Sequence, residues 1–337
     1  MKRMDLKIGV FLGLVVAFFT ACTDKVVYQH AEGQVYGTVY HITYRSPEDL
    51  HPALRAAMQQ VDTSLSMFNP SSVISRINRN ESRETDSLFR KVFYLAQQVH
   101  GQSGGMYDIT VAPLVNAWGF GYEGKNFPDS ACIDSLRDLV GMEKLALKEG
   151  QLFKQLPGMQ LDASSIAKGL GVDLVAECLE NHGVRDYMVE IGGEIRLRGQ
   201  SAHGRPWRIG IERPEDDASA QSRDLQLILA LDTGALATSG NYRNFYIKDG
   251  RKYSHTINPK TGYPVQTDLL SASVYTMSSC MKADAYATAF MGIGFEASKA
   301  IVEKDPDMEA CLIYEEEGVL KVWISEGLKF KIVRQNE

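Results

Sequence analysis

Apolar residues at Leu50, Leu54, Met58, Val61 and Leu65 recur at helical spacing and predict a helix closed off by Asn69-Pro70. A second helix is expected from about Asp86 to His100, broken by the glycines between Gly101 and Gly105, with Tyr107–Val111 resuming as extended chain. Pro113–Gly124, aromatic and rich in glycine, reads as a shaped loop, and a short helix follows Asp129. Leu145–Lys154 has the pattern of a hairpin turning at Glu149-Gly150. A long helix then runs from Ser164 to about His182, with Ser164 or Ser165 as N-cap and Gly183 as its stop.

Alternation predicts strands at Tyr187–Ile191, Glu194–Arg198, Trp207–Glu212 and Leu225–Leu231, and a folded pair over Phe245–Thr256 turning at Asp249-Gly250. Ala237–Arg243 reads as a hydroxyl-rich glycine turn. A small-residue helix is expected from Lys282 to about Gly292 and another over Phe295–Glu303, with strands near Cys311 and Val322 closing the chain. At the other end Thr23–His30 reads as a tether and Val35–Tyr44 as the first strand. Strand pairs joined by tight turns, with helices interspersed, indicate an α+β fold of largely antiparallel sheets.

The N-terminus changes the picture. Met1–Lys7 is basic and Ile8–Phe19 is apolar but too short to span a bilayer comfortably, which is the pattern of a signal peptide. Phe19-Thr20-Ala21-Cys22 resembles a bacterial lipobox, so residues 1–21 are expected to be removed and Cys22 to carry the lipid. Residues 22–34 would then be a tether, residues 35–337 the folded domain, and the chain would face the periplasm from a membrane anchor, the inner membrane foremost. A net charge of -6 without a clustered basic tract argues against nucleic acid as a partner. Cys132, Cys178, Cys280 and Cys311 are scattered, with no C-x-x-C spacing, so no disulfide framework follows and buried thiols are expected.

Candidate chemistry sits at two helices. Lys168 lies near the start of the long helix, where the macrodipole is positive and an anion would be welcome; Gly169 and Gly171 bare the backbone to a ligand or a neighbouring strand. Asp284 and Thr288 are four apart on one helix face and offer the hard oxygens that Mg²⁺ takes. His255, at a strand end before the rigid turn Asn258–Pro264, is either a general base or a structural histidine. Two motif matches fail on context. Gly119–Gly124 fits G-x-G-x-x-G without a βαβ unit, and Gly101–Gly105 fits G-x-S-x-G with helix and strand in the wrong order.

In order along the chain, the segments Tyr36-Gly37-Thr38, Ser66-Met67-Phe68-Asn69, Ser103–Val111, Pro113–Gly121, Asp162–Asp173, Glu190–Glu194, Ala237–Arg243, His255–Pro264 and Ala283–Thr288 resemble the ApbE family, the FAD:protein FMN transferases. The resemblance implies a ligand cleft between lobes of the α+β fold. By position it places flavin contacts on Tyr36, Phe68, Met106, Tyr107, Asp108, Asp162, Lys168 and Ile257. It places Mg²⁺ on Asp284, Thr288 and the main-chain carbonyl of Ser165, and makes His255 the group that activates the acceptor. The implied reaction moves the FMN part of FAD to a threonine hydroxyl in an S/T-G-A-T-like motif of a membrane redox-pump subunit, releasing AMP. An FAD pyrophosphatase and a non-enzymatic flavin-binding lipoprotein are the competing readings. Two departures stand out: Ala287 where some members carry a further acid, and Asn258 where Asp is frequent.

Overall fold

The computed structural model describes residues 27–121, 127–214, 225–241, 245–248 and 251–335. The predicted signal peptide, Cys22, Gly124, the Tyr242-Arg243 pair and the Asp249-Gly250 turn lie outside them. The chain enters through the hairpin β1 (Tyr28–Val35) and β2 (Thr38–Arg45), then helices α1 (His51–Leu65), α2 (Val73–Asn78) and α3 (Ser87–Gln102). Next come α4 (Ala112–Ala117), α5 (Ser130–Arg137), the hairpin β3 (Leu145–Lys148) and β4 (Gln151–Lys154), and α6 (Ser164–Asn181). Strands β5 (Tyr187–Ile191), β6 (Glu194–Arg198), β7 (Trp207–Glu212), β8 (Leu225–Leu231) and β9 (Thr233–Gly240) follow. The short pair β10 (Phe245–Lys248) and β11 (Arg251–Ser254) precedes β12 (Leu269–Thr276), α7 (Cys280–Ile293) and α8 (Phe295–Val302). The chain closes with β13 (Met308–Glu316), β14 (Val319–Ile324), α9 (Glu326–Lys329) and β15 (Ile332–Gln335).

Among the described residues the main sheet runs β1-β2-β5-β6-β9-β12-β13-β14, every neighbouring pair antiparallel. Alternation sorts its side chains. Val189, Ile191, Ala272, Val274 and Leu312 face a layer built from α1, α3, α6 and α7. Leu197, Leu236, Tyr275, Cys311 and Ile313 face the other way, onto the smaller sheet β15-β8-β7. The α+β, largely antiparallel expectation holds. No helix among the described residues is long and apolar enough to cross a membrane.

Several local expectations are corrected. The first strand begins at Tyr28, inside the expected tether, and Tyr36-Gly37 is its turn, with φ of 52° and 74°. Tyr36 tolerates that left-handed backbone because its hydroxyl donates to Met58 O at 2.7 Å and its ring packs on Gly171. Tyr107–Val111 is not a strand, and the expected loop after it contains α4. The N-cap position of α6 is Ala163; the cap bond comes from Asp162, whose Oδ1 accepts from Ser164 N at 2.7 Å. Ala237–Gly240 belongs to a strand rather than a turn, and β12 appears where no strand was expected. Cys280 and Cys311 are buried, but Cys132 is exposed.

Gly169 and Gly171 serve packing inside the protein. A Cβ on Gly169 would stand 2.5 Å from the Cys280 carbonyl oxygen and 2.8 Å from Asp284 Cβ, so α6 and α7 touch backbone to backbone there. Gly169→Ala is therefore expected to destabilise the fold by about 1–3 kcal/mol, read as a lower denaturation midpoint. A midpoint equal to wild type would show that the two helices can part at no cost.

Candidate functional site

The α6–α7 contact sets the site. Asp173, fully buried on α6, accepts from Cys280 N and Met281 N at 2.9 Å each and from Arg196 Nη1 at 2.8 Å. It thereby holds the first turn of α7, whose other cap is Ser279 Oγ accepting from Lys282 N at 3.2 Å. One turn further, Asp284 is 2% exposed, and its Oδ2 accepts from Gly169 N at 2.8 Å. Asp284 thus draws on the donor that an α-helix aims at the Ser165 carbonyl.

A cavity of about 950 Å³ opens over this contact. It is lined by Ser165 and Lys168 of α6, Asp284 and Thr288 of α7, Ser239 of β9, Glu194 of β6, the Met106–Asp108 segment and His255 through Ile257. Ten of the predicted site residues therefore converge: Met106, Tyr107, Asp108, Asp162, Ser165, Lys168, His255, Ile257, Asp284 and Thr288. Tyr36 and Phe68 are not among the lining residues; Tyr36 is committed to Met58, and Phe68 is 76% exposed. Cys22 lies outside the described residues.

Several members are held by bonds of their own. Ser165 Oγ donates to the buried Tyr107 hydroxyl at 2.9 Å. Burial pushes that phenol well above its ordinary range, with Ser165 opposing, so Tyr107 stays neutral. Asp108 Oδ1 accepts from Thr110 N at 2.8 Å and Thr110 Oγ1 at 2.6 Å, and Oδ2 accepts from Met142 N at 3.1 Å. It organises its own turn as well as facing the cavity. Asn258 Oδ1 accepts from Lys260 N and Thr261 N, at 2.8 and 3.2 Å. An Asn does that without charge, so Asn258 shapes the turn after His255. His255 is half-buried and meets the Phe120 ring edge-on at 6.5 Å between centroids.

Lys168 is not free in the cavity. Its Nζ is 2.5 Å from Glu194 Oε1. Burial disfavours its charge, but Asp284 and Glu194 more than reverse that and hold the ammonium above the ordinary lysine range. Burial lifts the carboxyls of Asp284 and Glu194 above the ordinary range, Glu194 to about 8 with Asp284 adding to the rise, and Lys168 offsets this only in part. Among the described residues no cluster of three or more His, Cys, Asp or Glu side chains is placed to hold a metal. The donor set that does fit a hard divalent cation is one carboxylate, one hydroxyl and one carbonyl: Asp284, Thr288 and Ser165. Two observations favour the fit. Asp284 is a buried carboxylate lifted by desolvation, which a cation relieves, and Glu194 Oε2 is a buried oxygen with no partner beside it.

Glu194, Ser239 and the Asp173–Arg196 pair were not singled out from the residues alone. The signal for Glu194 and Arg196 was available: alternation in β6 places both opposite Leu197, which faces the smaller sheet, so both point toward the helix layer. A charge pointing inward asks for a partner.

The sequence model of the ApbE family matches residues 36–312. FAD:protein FMN transferase of Vibrio cholerae is 35% identical over 319 residues, covering 91% of this chain and 94% of the relative. The enzyme of the same name from Haemophilus influenzae is 34% identical, covering 88% and 90%. Among solved structures, the flavin transferase ApbE from Vibrio cholerae superposes with a TM-score of 0.82, at 35% identity, over 91% of this chain and all of that one. The apo flavinyl transferase ApbE of Pseudomonas stutzeri gives 0.80 at 31% identity, over 92% and 98%.

Proposed function

This chain belongs to the ApbE family, and from that premise we propose that it is a flavin transferase acting on a protein acceptor. In this reading it moves the FMN part of FAD to a threonine hydroxyl and releases AMP. The observation that carries it is the shared cavity: Ser165 and Lys168 of α6, Asp284 and Thr288 of α7, and His255 after β11 line one space of dinucleotide scale. Met106, Tyr107, Asp108, Asp162 and Ile257 line the same space and are the flavin contacts in this reading.

Asp284, Thr288 and the Ser165 carbonyl would hold Mg²⁺, which when bound supplies positive charge to the diphosphate oxygens. The chain's own residues do the rest. Lys168 offers an ammonium that keeps its proton, and the N-terminal turn of α6 adds backbone N–H groups. The acceptor hydroxyl attacks the phosphorus of the FMN half in line. The P–O bond to the AMP half breaks, and an imidazole nitrogen of His255 takes the hydroxyl proton. The neutral Tyr107 and buried Ile257 keep water from part of the cavity wall.

The test incubates the full-length chain, in detergent, with FAD, Mg²⁺ and an acceptor polypeptide carrying an S/T-G-A-T-like motif. An acceptor mass increased by one FMN supports transfer. FMN released with the acceptor unmodified would instead mean hydrolysis, and flavin bound but unchanged a carrier. His255→Gln is expected to slow transfer by about 10²–10⁴-fold while FAD affinity stays near wild type. A variant with both unchanged would remove His255 from the chemistry.

The acceptor is proposed to be a membrane redox-pump subunit, met by an enzyme lipidated at Cys22 and facing the periplasm from the inner membrane. The basic and apolar segments before Cys22 support this. Palmitate labelling of cells expressing the chain should disappear in Cys22→Ser; persistent label would refute the anchor.

A further inference from the structure

Strand β7 ends the smaller sheet, whose order is β15-β8-β7, so one of its long edges has no neighbouring strand among the described residues. Which of its groups face that edge follows from the pairing. On β8, Ala230 N donates to Lys331 O at 2.8 Å and therefore points away from β7. Ala230 stands opposite Arg208, and Ile228 opposite Gly210. The ladder bonds between β7 and β8 then fall to the alternate pairs, Ile209 with Leu229 and Ile211 with Leu227. The N–H and C=O groups of Arg208 and Gly210 turn outward instead. Both residues are exposed, and these four groups have no hydrogen-bond partner among the described residues. An edge of this kind is a template for another extended chain.

Position gives this edge its occupant. Of the strands that end the two larger sheets, β1, β14, β15 and β7, only β7 reaches the cavity, with Gly210, Ile211 and Glu212 in the wall. On the transferase reading above, on which this inference rests, the second substrate is a polypeptide that must bring a hydroxyl to the flavin diphosphate. We propose that the acceptor binds as an extended strand added to the β7 edge, its main chain paired with Arg208 and Gly210 and its threonine carried past them into the cavity. Paired strands lie about 4.8 Å apart, so a chain bonded to Gly210 already runs along the cavity rim. Main-chain pairing supplies affinity without reading side chains, and the cavity then receives the residue whose hydroxyl reaches the phosphorus. Residues of the acceptor that pair with β7 can vary, except that proline is excluded where an N–H is needed.

The first test needs no variant of this chain. Hydrogen–deuterium exchange is followed on the full-length chain in detergent with FAD and Mg²⁺. It is run with and without an acceptor polypeptide that carries valine for the threonine, so that the complex cannot turn over. With acceptor, the amides of Arg208 and Gly210 should exchange at least about tenfold more slowly, while that of Ile209, already in the ladder, changes little. The second test is Arg208→Pro, which removes one outward N–H and leaves the bonds to β8. It should raise KM for the threonine acceptor about tenfold, with a smaller effect on kcat. Arg208→Ala, which restores the N–H, should recover most of that loss. Unchanged exchange at Arg208 and Gly210, in a wild type that does flavinylate the threonine acceptor, overturns the proposal. So does an Arg208→Pro variant that melts like wild type and keeps the wild-type KM. If Arg208→Pro does not fold, the exchange result decides. A wild type that leaves the threonine acceptor unmodified brings down the transferase reading itself.

Discussion

Replacing Asp284 by asparagine is expected to lower flavin transfer by about 10³-fold while leaving the fold intact. Asp284 is the anionic member of the proposed cation site; its companions, Thr288 and the Ser165 carbonyl, are neutral. Ala287, one position before Thr288, contributes no second charge. Asparagine has the same outline and an oxygen that can accept from Gly169 N, so the bond between α6 and α7 at 2.8 Å survives. Loss of transfer with an unchanged melting temperature therefore isolates the charge. Asp284→Ala should lose as much activity and also some stability, because the buried Gly169 N–H is deprived of that acceptor. The measurement is the mass of the acceptor against time, with Mg²⁺ raised until the rate stops rising. An asparagine variant within tenfold of wild type under those conditions would exclude Asp284 as a charged ligand.

Asp173→Ala should have the largest effect on stability, about 3–5 kcal/mol. Its side chain is completely buried, and its two oxygens satisfy Arg196 and the first two N–H groups of α7. Removing it leaves a guanidinium that is only 20% exposed beside the weaker contact with Glu180, at 3.9 Å. It also leaves two buried backbone donors unpaired. Because those donors start the helix that carries Asp284, the loss should appear in function too, as weaker Mg²⁺ dependence in whatever protein remains folded. Urea denaturation followed by circular dichroism gives the number. A cost under about 1 kcal/mol would mean that Arg196 and α7 find other partners.

Strands β5, β6, β7 and β8 lie where alternation places them, to the residue, because each has one face on a core and shows it as a period of two. Helices α1, α3 and α5 follow their apolar stripes and, for α3 and α5, the caps Asp86 and Asp129. Strands β9 and β12 were missed for one physical reason. They lie in the middle of the main sheet, and Thr-Gly-Ala-Leu-Ala-Thr-Ser-Gly and Leu-Leu-Ser-Ala-Ser-Val-Tyr-Thr mix small and hydroxyl residues such as Ala237 and Ala272, which let α7 pack close, with a few large apolar ones. Buried on both faces along most of their length, they show no clean alternation of apolar and polar positions.

For the site, the residue types of Asp284 and Thr288, the histidine before a rigid turn and the lysine near a helix start all suggested their chemistry from local spacing. Local spacing also determined the helical and one-sided strand segments, since a cap, a stripe or an alternating face is written within a few neighbouring residues. Tertiary structure alone decided that Lys168 is held by Glu194, that Gly169 yields its space to α7, that Tyr36 is tied to Met58 and that Asp173 anchors the helix bearing Asp284. Each of those joins residues far apart in the chain, and which buried charge meets which partner depends on how the α6 and α7 backbones cross, a geometry that no local pattern encodes.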